Sequence, residues 1–304
     1  MKKLMALILL VILQASAKET IVVMNPQGPS HSGTPQLLAV IDEANKQQDK
    51  YQFIVEFKPG AFESIALREI ANFPQTKIAT MTNAAIEGID RGLINESDLV
   101  PVFSQGDSCW AVIGVSSANV GLDSLKAVKE LVVGGPAIGG ATHLAALEIG
   151  LRYNVPVKYV VYKSNYDAFV NMVSDSSINF IFERVKNYES FKNKNKNMHM
   201  LAMSCPVRHP SAPTIKTLRE YGINTPYIWQ QIVAHRTISE DRRKEFEIIF
   251  SNATKKLGSA AIQELSDQTP AIFNNVDSQT HYYQSLTQLK TYRTKFSASI
   301  AASR

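Results

Sequence analysis

The sequence predicts an α/β fold in which two lobes are each built on a mainly parallel sheet flanked by helices. Two observations carry this prediction: short apolar runs alternate with helical patterns along the chain, and the alternation occurs twice. The length of 304 residues agrees with it, because a chain of this size forms one large domain or two lobes with separate cores. We place lobe 1 at 18–106 plus 226–304 and lobe 2 at 107–225.

The first α/β unit begins with a short apolar strand and continues as helix, strand, helix, strand. Its strands are predicted at 20–24, 53–57 and 78–81. The first helix is expected to begin at Thr34 as the N-cap, with Pro35 at the first helical position. The second helix covers 62–72. Turns rich in Gly and Pro end the first two strands, because Pro lacks the N–H that a strand interior needs.

The second unit repeats this pattern after the Gly-rich turn at 134–140. Its strands are predicted at 131–133, 158–161, 178–182 and 200–203. Helical spacing of apolar residues predicts helices at 166–173 and 240–257 and one that carries Leu144, Leu147 and Leu151. A further helix is predicted at 282–296, and the Lys/Asn run at 192–197 is interpreted as a solvated turn.

The first 17 residues have the three parts of a secretory signal peptide. Lys2 and Lys3 are followed by an apolar run from Leu4 to Leu13 and by a small-residue cleavage motif that ends at Ala17. The apolar run is too short for a bilayer, which needs about 20 residues. The alternative, a buried N-terminal helix, would not explain the flanking lysines. We therefore expect export, with the mature chain beginning near residue 18.

Charge and cysteine content limit the classes of partner. Cleavage would leave 30 basic and 27 acidic residues, that is, the 32 basic residues less Lys2 and Lys3, without a basic stripe. This balance argues against a nucleic-acid partner. Cys109 and Cys205 each lie in or beside an apolar run, so we expect two single buried thiols. One disulfide is the alternative, provided that the two strands are neighbours.

Motifs for catalysis and for metal or cofactor binding are missing from the sequence. The six histidines show no HExxH or other ligand spacing, and there is no GxSxG, P-loop or GxGxxG motif. We therefore predict that the protein is not an enzyme and that it has no metal and no cofactor.

Four strand-to-helix turns combine Gly, Pro and small hydroxyl residues, at 25–34, 59–64, 82–85 and 134–143. Ligands of parallel sheets bind beyond the carboxyl ends of the strands, where helix N-termini present free N–H groups. These turns therefore predict a site for a carboxylate or a phosphate. The alternative is that they are only the tight connections that every α/β protein needs.

Several segments, in order, resemble the tripartite tricarboxylate transporter receptors, the Bug family of periplasmic solute-binding proteins. The segment Gly139-Gly140-Ala141-Thr142-His143-Leu144-Ala145 resembles the family's G-x-x-S/T-H-L-A motif. The segments at 155–164, 176–182, 201–210 and 213–222, and 56–61 earlier in the chain, resemble other family motifs at matching spacing. The resemblance extends from about residue 20 to residue 257.

This resemblance implies a type II periplasmic binding protein fold whose two lobes close on a small carboxylate. It further implies a periplasmic location and delivery of the ligand to a membrane permease of the tripartite tricarboxylate type, and we expect a monomer. A sensor feeding a signalling system is the alternative, and a secreted α/β hydrolase is a third. Carried over to this sequence, the ligand-binding residues are Gly28, Ser30, Ser32, Gly33, Thr34, Thr82, Asn83, Gly139, Thr142 and His143.

Three departures from the family pattern leave the ligand open. The first turn, 25–33, is longer and more polar than usual, and Phe62 and Glu63 stand where the family has glycines. Glu183-Arg184 replaces the Asp-Asn that usually follows the later strand. A Glu63 side chain aimed at the cleft would repel a dianion or pair with an amine.

Overall fold

The computed structural model describes residues 17–29, 31, 33–115, 121–175, 177–269 and 271–304. Apart from Ala17, the predicted signal peptide lies outside this part of the chain. Within the described residues, no helix combines the length and the apolar character needed to cross a bilayer.

In chain order the strands are β1 Glu19–Asn25, β2 Tyr51–Phe57, β3 Lys77–Thr82, β4 Leu99–Ser108, β5 Ala111–Val115, β6 Leu131–Gly135, β7 Val157–Val161, β8 Phe180–Glu183, β9 Met198–Met203, β10 Trp229–His235 and β11 Gln268–Thr269. The α-helices are α1 Thr34–Gln47, α2 Ser64–Asn72, α3 Ala85–Asp90, α4 Ala141–Tyr153, α5 Asn165–Ser174, α6 Val185–Phe191, α7 Glu240–Leu257, α8 Ser259–Ser266, α9 Ser278–Lys295 and α10 Ser297–Ala302.

The strands form two sheets, with the orders β11-β4-β10-β3-β1-β2 and β7-β6-β8-β5-β9. In the first sheet β1 pairs in parallel with β2 and β3, and β10 runs antiparallel between β3 and β4. In the second sheet β6 pairs in parallel with β7 and β8, and β5 runs antiparallel between β8 and β9. We call the half built on the first sheet lobe 1 and the other half lobe 2. The predicted fold class, two α/β lobes each built on a sheet flanked by helices, is confirmed. Most strands of each sheet point the same way, and β10, β11 and β5 run against them.

The chain passes between the sheets after β4 and again before β10. Each passage enters the new sheet as a strand that runs against its neighbours, β5 or β10. The predicted crossing points at 105–106 and 225–226 lie close to these passages, and the lobe boundaries themselves stay predictions.

Helices cover the sheets with the apolar faces that their sequence spacing indicates. On α7, Phe246 and Phe250 are fully buried, and their rings pack against Phe53 of β2 with centroids 5.5 Å and 4.9 Å apart. Such edge and tilted contacts are preferred geometries of aromatic pairs. The predicted helix at 240–257 is therefore a core element of lobe 1.

Two local predictions were wrong. Cys109 and Cys205 form a disulfide instead of two single thiols. The reason is that Cys109 precedes β5 and Cys205 follows β9, and these strands are antiparallel neighbours whose ladder ends at the pair Ala111 and Met203. Helix α1 begins at Thr34, but the Thr34 hydroxyl does not cap it: it donates to the Gly28 carbonyl at 3.2 Å.

Candidate functional site

A cavity of about 60 Å³ lies between the lobes, at the carboxyl ends of the parallel strands. It is lined by Gln27, His31, Thr82, Asn83, Ala84 and Gln230 from lobe 1, by Pro136, Thr142, Lys163, Ser164, Asn165 and Arg184 from lobe 2, and by Ser108, Trp110, Ile228 and Trp229 at the two chain crossings. The turns after β1, β3, β6, β7 and β8 therefore converge on one place. This is the position at which open α/β sheets bind ligands.

Three of the ten residues predicted to bind a ligand line this cavity. Thr82 and Asn83 follow β3 in lobe 1, and Thr142 lies in the first turn of α4 in lobe 2. The Thr142 hydroxyl is buried and lies 3.1 Å from the Tyr159 hydroxyl, which fixes its position. Ser30 and Ser32 lie outside the described residues.

Gly28, Gly33 and Thr34 lie behind the lining and shape the first turn. The bond from Thr34 to Gly28 closes the turn, and the Gly33 N–H donates to His31 Nδ1 at 3.1 Å. A Cβ at Gly33 would lie 2.2 Å from Gln230 Oε1, so only glycine fits there without displacing that side chain. Together these contacts orient His31 toward the cavity.

Gly139 and His143 also lie behind the lining, in lobe 2. The Gly139 N–H donates to His143 Nδ1 at 2.9 Å, and the Gly139 carbonyl accepts from Arg293 at 2.6 Å. His143 is fully buried against the Tyr159 ring, and burial lowers its pKa to about 4. The imidazole is therefore neutral near pH 7, and because Nδ1 accepts a hydrogen bond its proton is on Nε2.

Arg184 is the buried cation among the lining residues that the sequence predictions missed. It follows β8, it is only 6% exposed, and its guanidinium makes no hydrogen bond and no ion pair with any described residue. Burial lowers the pKa of Arg184 to about 10, and Asp267 and Glu183 partly offset this effect, so the group stays charged near neutral pH. The sequence signal was the pair of charges that ends an apolar strand.

The two carboxylates near Arg184 make no ion pair with it, and Glu183 Oε2 is itself buried without a hydrogen-bond partner among the described residues. Glu183 accepts hydrogen bonds from the Arg184 backbone N–H at 2.8 Å and from Asn187 at 3.1 Å, and burial raises the pKa of Glu183. Asp267 Oδ1 lies 3.5 Å from His209 Nε2. The guanidinium therefore has nearby negative charge but no direct partner among the described residues.

Two indole rings, of Trp110 and Trp229, form part of the cavity wall. Trp110 is 6% exposed and Trp229 is 2% exposed, and neither Nε1 has a hydrogen-bond partner among the described residues. Burial, and to a smaller extent the Arg184 charge, lowers the pKa of His31 to about 3, so His31 is neutral.

Glu63, which the sequence comparison singled out as a departure from the family pattern, does not line the cavity. Ala61, Phe62 and Glu63 have φ of 45°, 55° and 68°, a run in the left-handed region that glycines would tolerate without strain. This turn directs the Glu63 side chain inward, where it is 4% exposed and accepts from Thr82 and Gln27. The Phe62 ring instead packs 4.5 Å from the Arg91 guanidinium.

The chemistry of the cavity is that of an anion site with apolar walls. It combines one buried cation, the apolar surface of two indole rings and several neutral polar side chains, which suits a small carboxylate. Among the described residues, no group of three or more His, Cys, Asp or Glu side chains could hold a metal ion.

No family model matches the chain, and no curated protein matches it in sequence. Its fold is shared by solved structures. A TctC solute-binding protein from Polaromonas is 15% identical, with a TM-score of 0.69 over 92% of this chain and 98% of that one. MatC of Rhodopseudomonas palustris, solved with malate, is 13% identical, with a TM-score of 0.71 over 90% and 98%. Another R. palustris protein, solved with adipate, is 13% identical, with a TM-score of 0.75 over 91% and 96%.

At these identities the likeness establishes the fold, and the chain spans nearly the whole length of each structure. The named neighbours include solute-binding proteins, and the type II periplasmic binding protein fold expected from the sequence is confirmed.

Proposed function

We propose that this protein is a periplasmic solute-binding receptor that captures a small carboxylate between its lobes. The observation that carries the proposal is Arg184, a buried guanidinium without a direct partner that lines the cavity between the lobes. Burying a cation is costly unless a counter-charge meets it, so the site gains most from an anionic ligand. The carboxylates bound by two proteins of the same fold, malate and adipate, support this class of ligand.

The side chains that could bind a ligand come from both lobes. Arg184 and Thr142 belong to lobe 2, whereas Asn83 and His31 belong to lobe 1. A carboxylate bound by Arg184 can contact both lobes only when the lobes are close together. Binding therefore favours the closed arrangement by its differential affinity for that state.

The first test compares Arg184→Gln with Arg152→Gln, an exposed arginine of the same lobe that changes the charge equally. Binding of propionate, succinate, malate and adipate is measured by calorimetry and thermal shift. A charge-assisted hydrogen bond contributes about 1.5–3 kcal/mol, so Arg184→Gln should weaken binding about tenfold to a hundredfold. The control variant should bind as the wild type does.

Loss of binding by misfolding can be distinguished in the same experiment. Arg184 has no direct partner among the described residues, so Arg184→Gln breaks no hydrogen bond or ion pair and removes the cost of burying that charge, and it should melt close to the wild-type temperature. If Arg184→Gln binds as tightly as the wild type, the assignment of Arg184 is wrong. If the wild type binds no carboxylate at all, the proposed function is wrong.

We further propose that the receptor is a periplasmic monomer that delivers its ligand to a permease of the tripartite tricarboxylate type. The signal-peptide pattern at 1–17 and the resemblance in sequence support this assignment. Mass determination of the exported protein should find an N-terminus at Lys18 and one chain per particle. Deletion of the gene should abolish uptake of the labelled ligand, and unchanged uptake would contradict the transport role.

A further inference from the structure

We infer that the Glu63 carboxylate occupies the hydrogen-bond donors of Thr82, at the end of β3 in lobe 1. A second carboxylate of a ligand therefore finds no donor there, and the cavity selects ligands with a single carboxylate. This inference rests on the proposed function and specifies its ligand class. Arg184 receives the one carboxylate, and the end of the ligand that faces lobe 1 is neutral.

Thr82 is the residue whose donors are taken. Its backbone N–H donates to Glu63 Oε2 at 2.9 Å, and its hydroxyl donates to Glu63 Oε1 at 2.5 Å. The same hydroxyl accepts from the Ala84 N–H at 3.1 Å. Thr82 therefore lines the cavity without a free donor for a ligand.

Gln27 is held in the same way. Its Nε2 donates to Glu63 Oε1, and its backbone N–H donates to Asn25 Oδ1 at 3.0 Å. Glu63 thus binds two lining residues from behind, one from the turn after β1 and one at the end of β3. A carboxylate of the ligand could not replace it without displacing a buried side chain.

The charges around the cavity are asymmetric. Its two cations, Arg184 and Lys163, both belong to lobe 2, and Lys163 is exposed at the rim, where an ion pair contributes little. On the lobe 1 side, the Glu63 carboxyl lies one layer behind the lining and forms no ion pair with a described residue, and burial raises its pKa to about 7. Near neutral pH a large share of Glu63 is ionised, and a second ligand carboxylate on that side would face its charge.

The other lobe 1 groups on the lining are neutral. His31 stays unprotonated because its pKa is lowered to about 3, and Asn83 carries an amide. These groups suit a hydroxyl, a carbonyl or an amide. The lobe 2 side of the cavity is therefore cationic, and the lobe 1 side is neutral with the Glu63 carboxyl behind it.

The experiment compares ligands that differ by one carboxylate on chains of equal length. Calorimetry measures the dissociation constants of butyrate, 4-hydroxybutyrate and succinate for the wild type, Glu63→Ala, Glu63→Gln and the surface control Glu264→Gln. We expect the wild type to bind the tighter monocarboxylate at least about tenfold more strongly than succinate, and Glu264→Gln to keep that ratio.

The two Glu63 variants separate charge from occupied donors. Glu63→Ala frees both Thr82 donors and removes the charge, and should shift the ratio toward succinate by about tenfold or more. Glu63→Gln removes the charge but keeps one acceptor oxygen, so Thr82 stays partly engaged and the ratio should shift less. If Glu63→Ala fails to fold, as judged by its melting curve, the ratio of dissociation constants measured for Glu63→Gln still tests the inference.

Three results would overturn the inference. A wild type that prefers succinate, or ratios that do not change in the Glu63 variants, would overturn it while leaving the proposed function intact. A wild type that binds none of these carboxylates, nor malate or adipate, would overturn the proposed function together with the inference.

Discussion

Replacing Glu63 by Gln should change how the stability of the protein depends on pH. Burial raises the pKa of Glu63 from 4.5 to about 7, although hydrogen bonds from Thr82 and Gln27 act in the opposite direction. Between these two values the folded chain holds a proton that the unfolded chain has lost. The free energy of unfolding therefore decreases as the pH rises through this range.

The size of the effect follows from the two pKa values. Each pH unit between 4.5 and about 7 corresponds to 1.36 kcal/mol, so the ionisation of Glu63 costs the folded wild type about 3 kcal/mol by neutral pH. This contribution is fully present as stability below pH 4.5 and is lost as the pH rises to about 7. Glu63→Gln carries no proton to lose and should not show it.

The assay is urea unfolding of the wild type and Glu63→Gln between about pH 4 and pH 8. The variant should gain stability relative to the wild type with rising pH, by about 3 kcal/mol over the range. His31 and His143, whose pKa values are lowered to about 3 and about 4, contribute stability that is lost as the pH falls below 6.5. Both histidines are present in the wild type and in Glu63→Gln, so their contributions cancel in the difference between the two free energies of unfolding. A difference that is constant over this pH range would refute the reasoning.

Two further predictions concern backbone strain and the disulfide. Ala61→Gly should raise the free energy of unfolding by up to about 1 kcal/mol, because Ala61 has a φ of 45°, whereas Ala71→Gly, at an exposed position in α2, should lower it by about 1 kcal/mol. Urea titrations check both changes, and changes in the free energy of unfolding with the same sign would contradict the strain argument. Replacing Cys109 and Cys205 together by Ala should cost about 4–5 kcal/mol, because the disulfide closes a loop with a sequence separation of 96 residues. A double variant as stable as the wild type would show that the loop contributes no such constraint.

The strand and helix alternation was predictable because each element repeats a local pattern. The crossing strand β10 was not, since its sequence Trp229-Gln230-Gln231-Ile232 places two glutamines in a strand that is buried throughout this stretch. A strand covered on both faces lacks the polar and apolar alternation by which half-buried strands are recognised. Its place in the sheet depends on β3 and β4, which flank it in space.

The site was predictable where backbone turns make it and not where side chains from distant segments meet. Thr82, Asn83 and Thr142 were identified because their turns carry the residue types of helix starts. Arg184 and Trp229 were not, because a charge or an indole at the end of an apolar strand has no meaning until the opposite lobe covers it. Glu63 was recognised as unusual, but its inward orientation results from three consecutive left-handed residues, which the sequence does not encode in any local pattern.

The two chain crossings are joined to each other, and this limits how the lobes can move. The Ser108 N–H donates to the Ile228 carbonyl at 2.6 Å, so the outgoing and returning segments form one hydrogen-bonded pair. On the lobe 2 side, the disulfide ties Cys109 to Cys205, immediately beyond the first crossing. At the crossings, bending is thereby limited to the few residues beside this pair. Helix α9 forms a second link between the lobes, because Arg293 donates to the Gly139 carbonyl at 2.6 Å. We expect the lobes to open by a hinge motion at the crossings in which this contact breaks and Arg184 separates from His31.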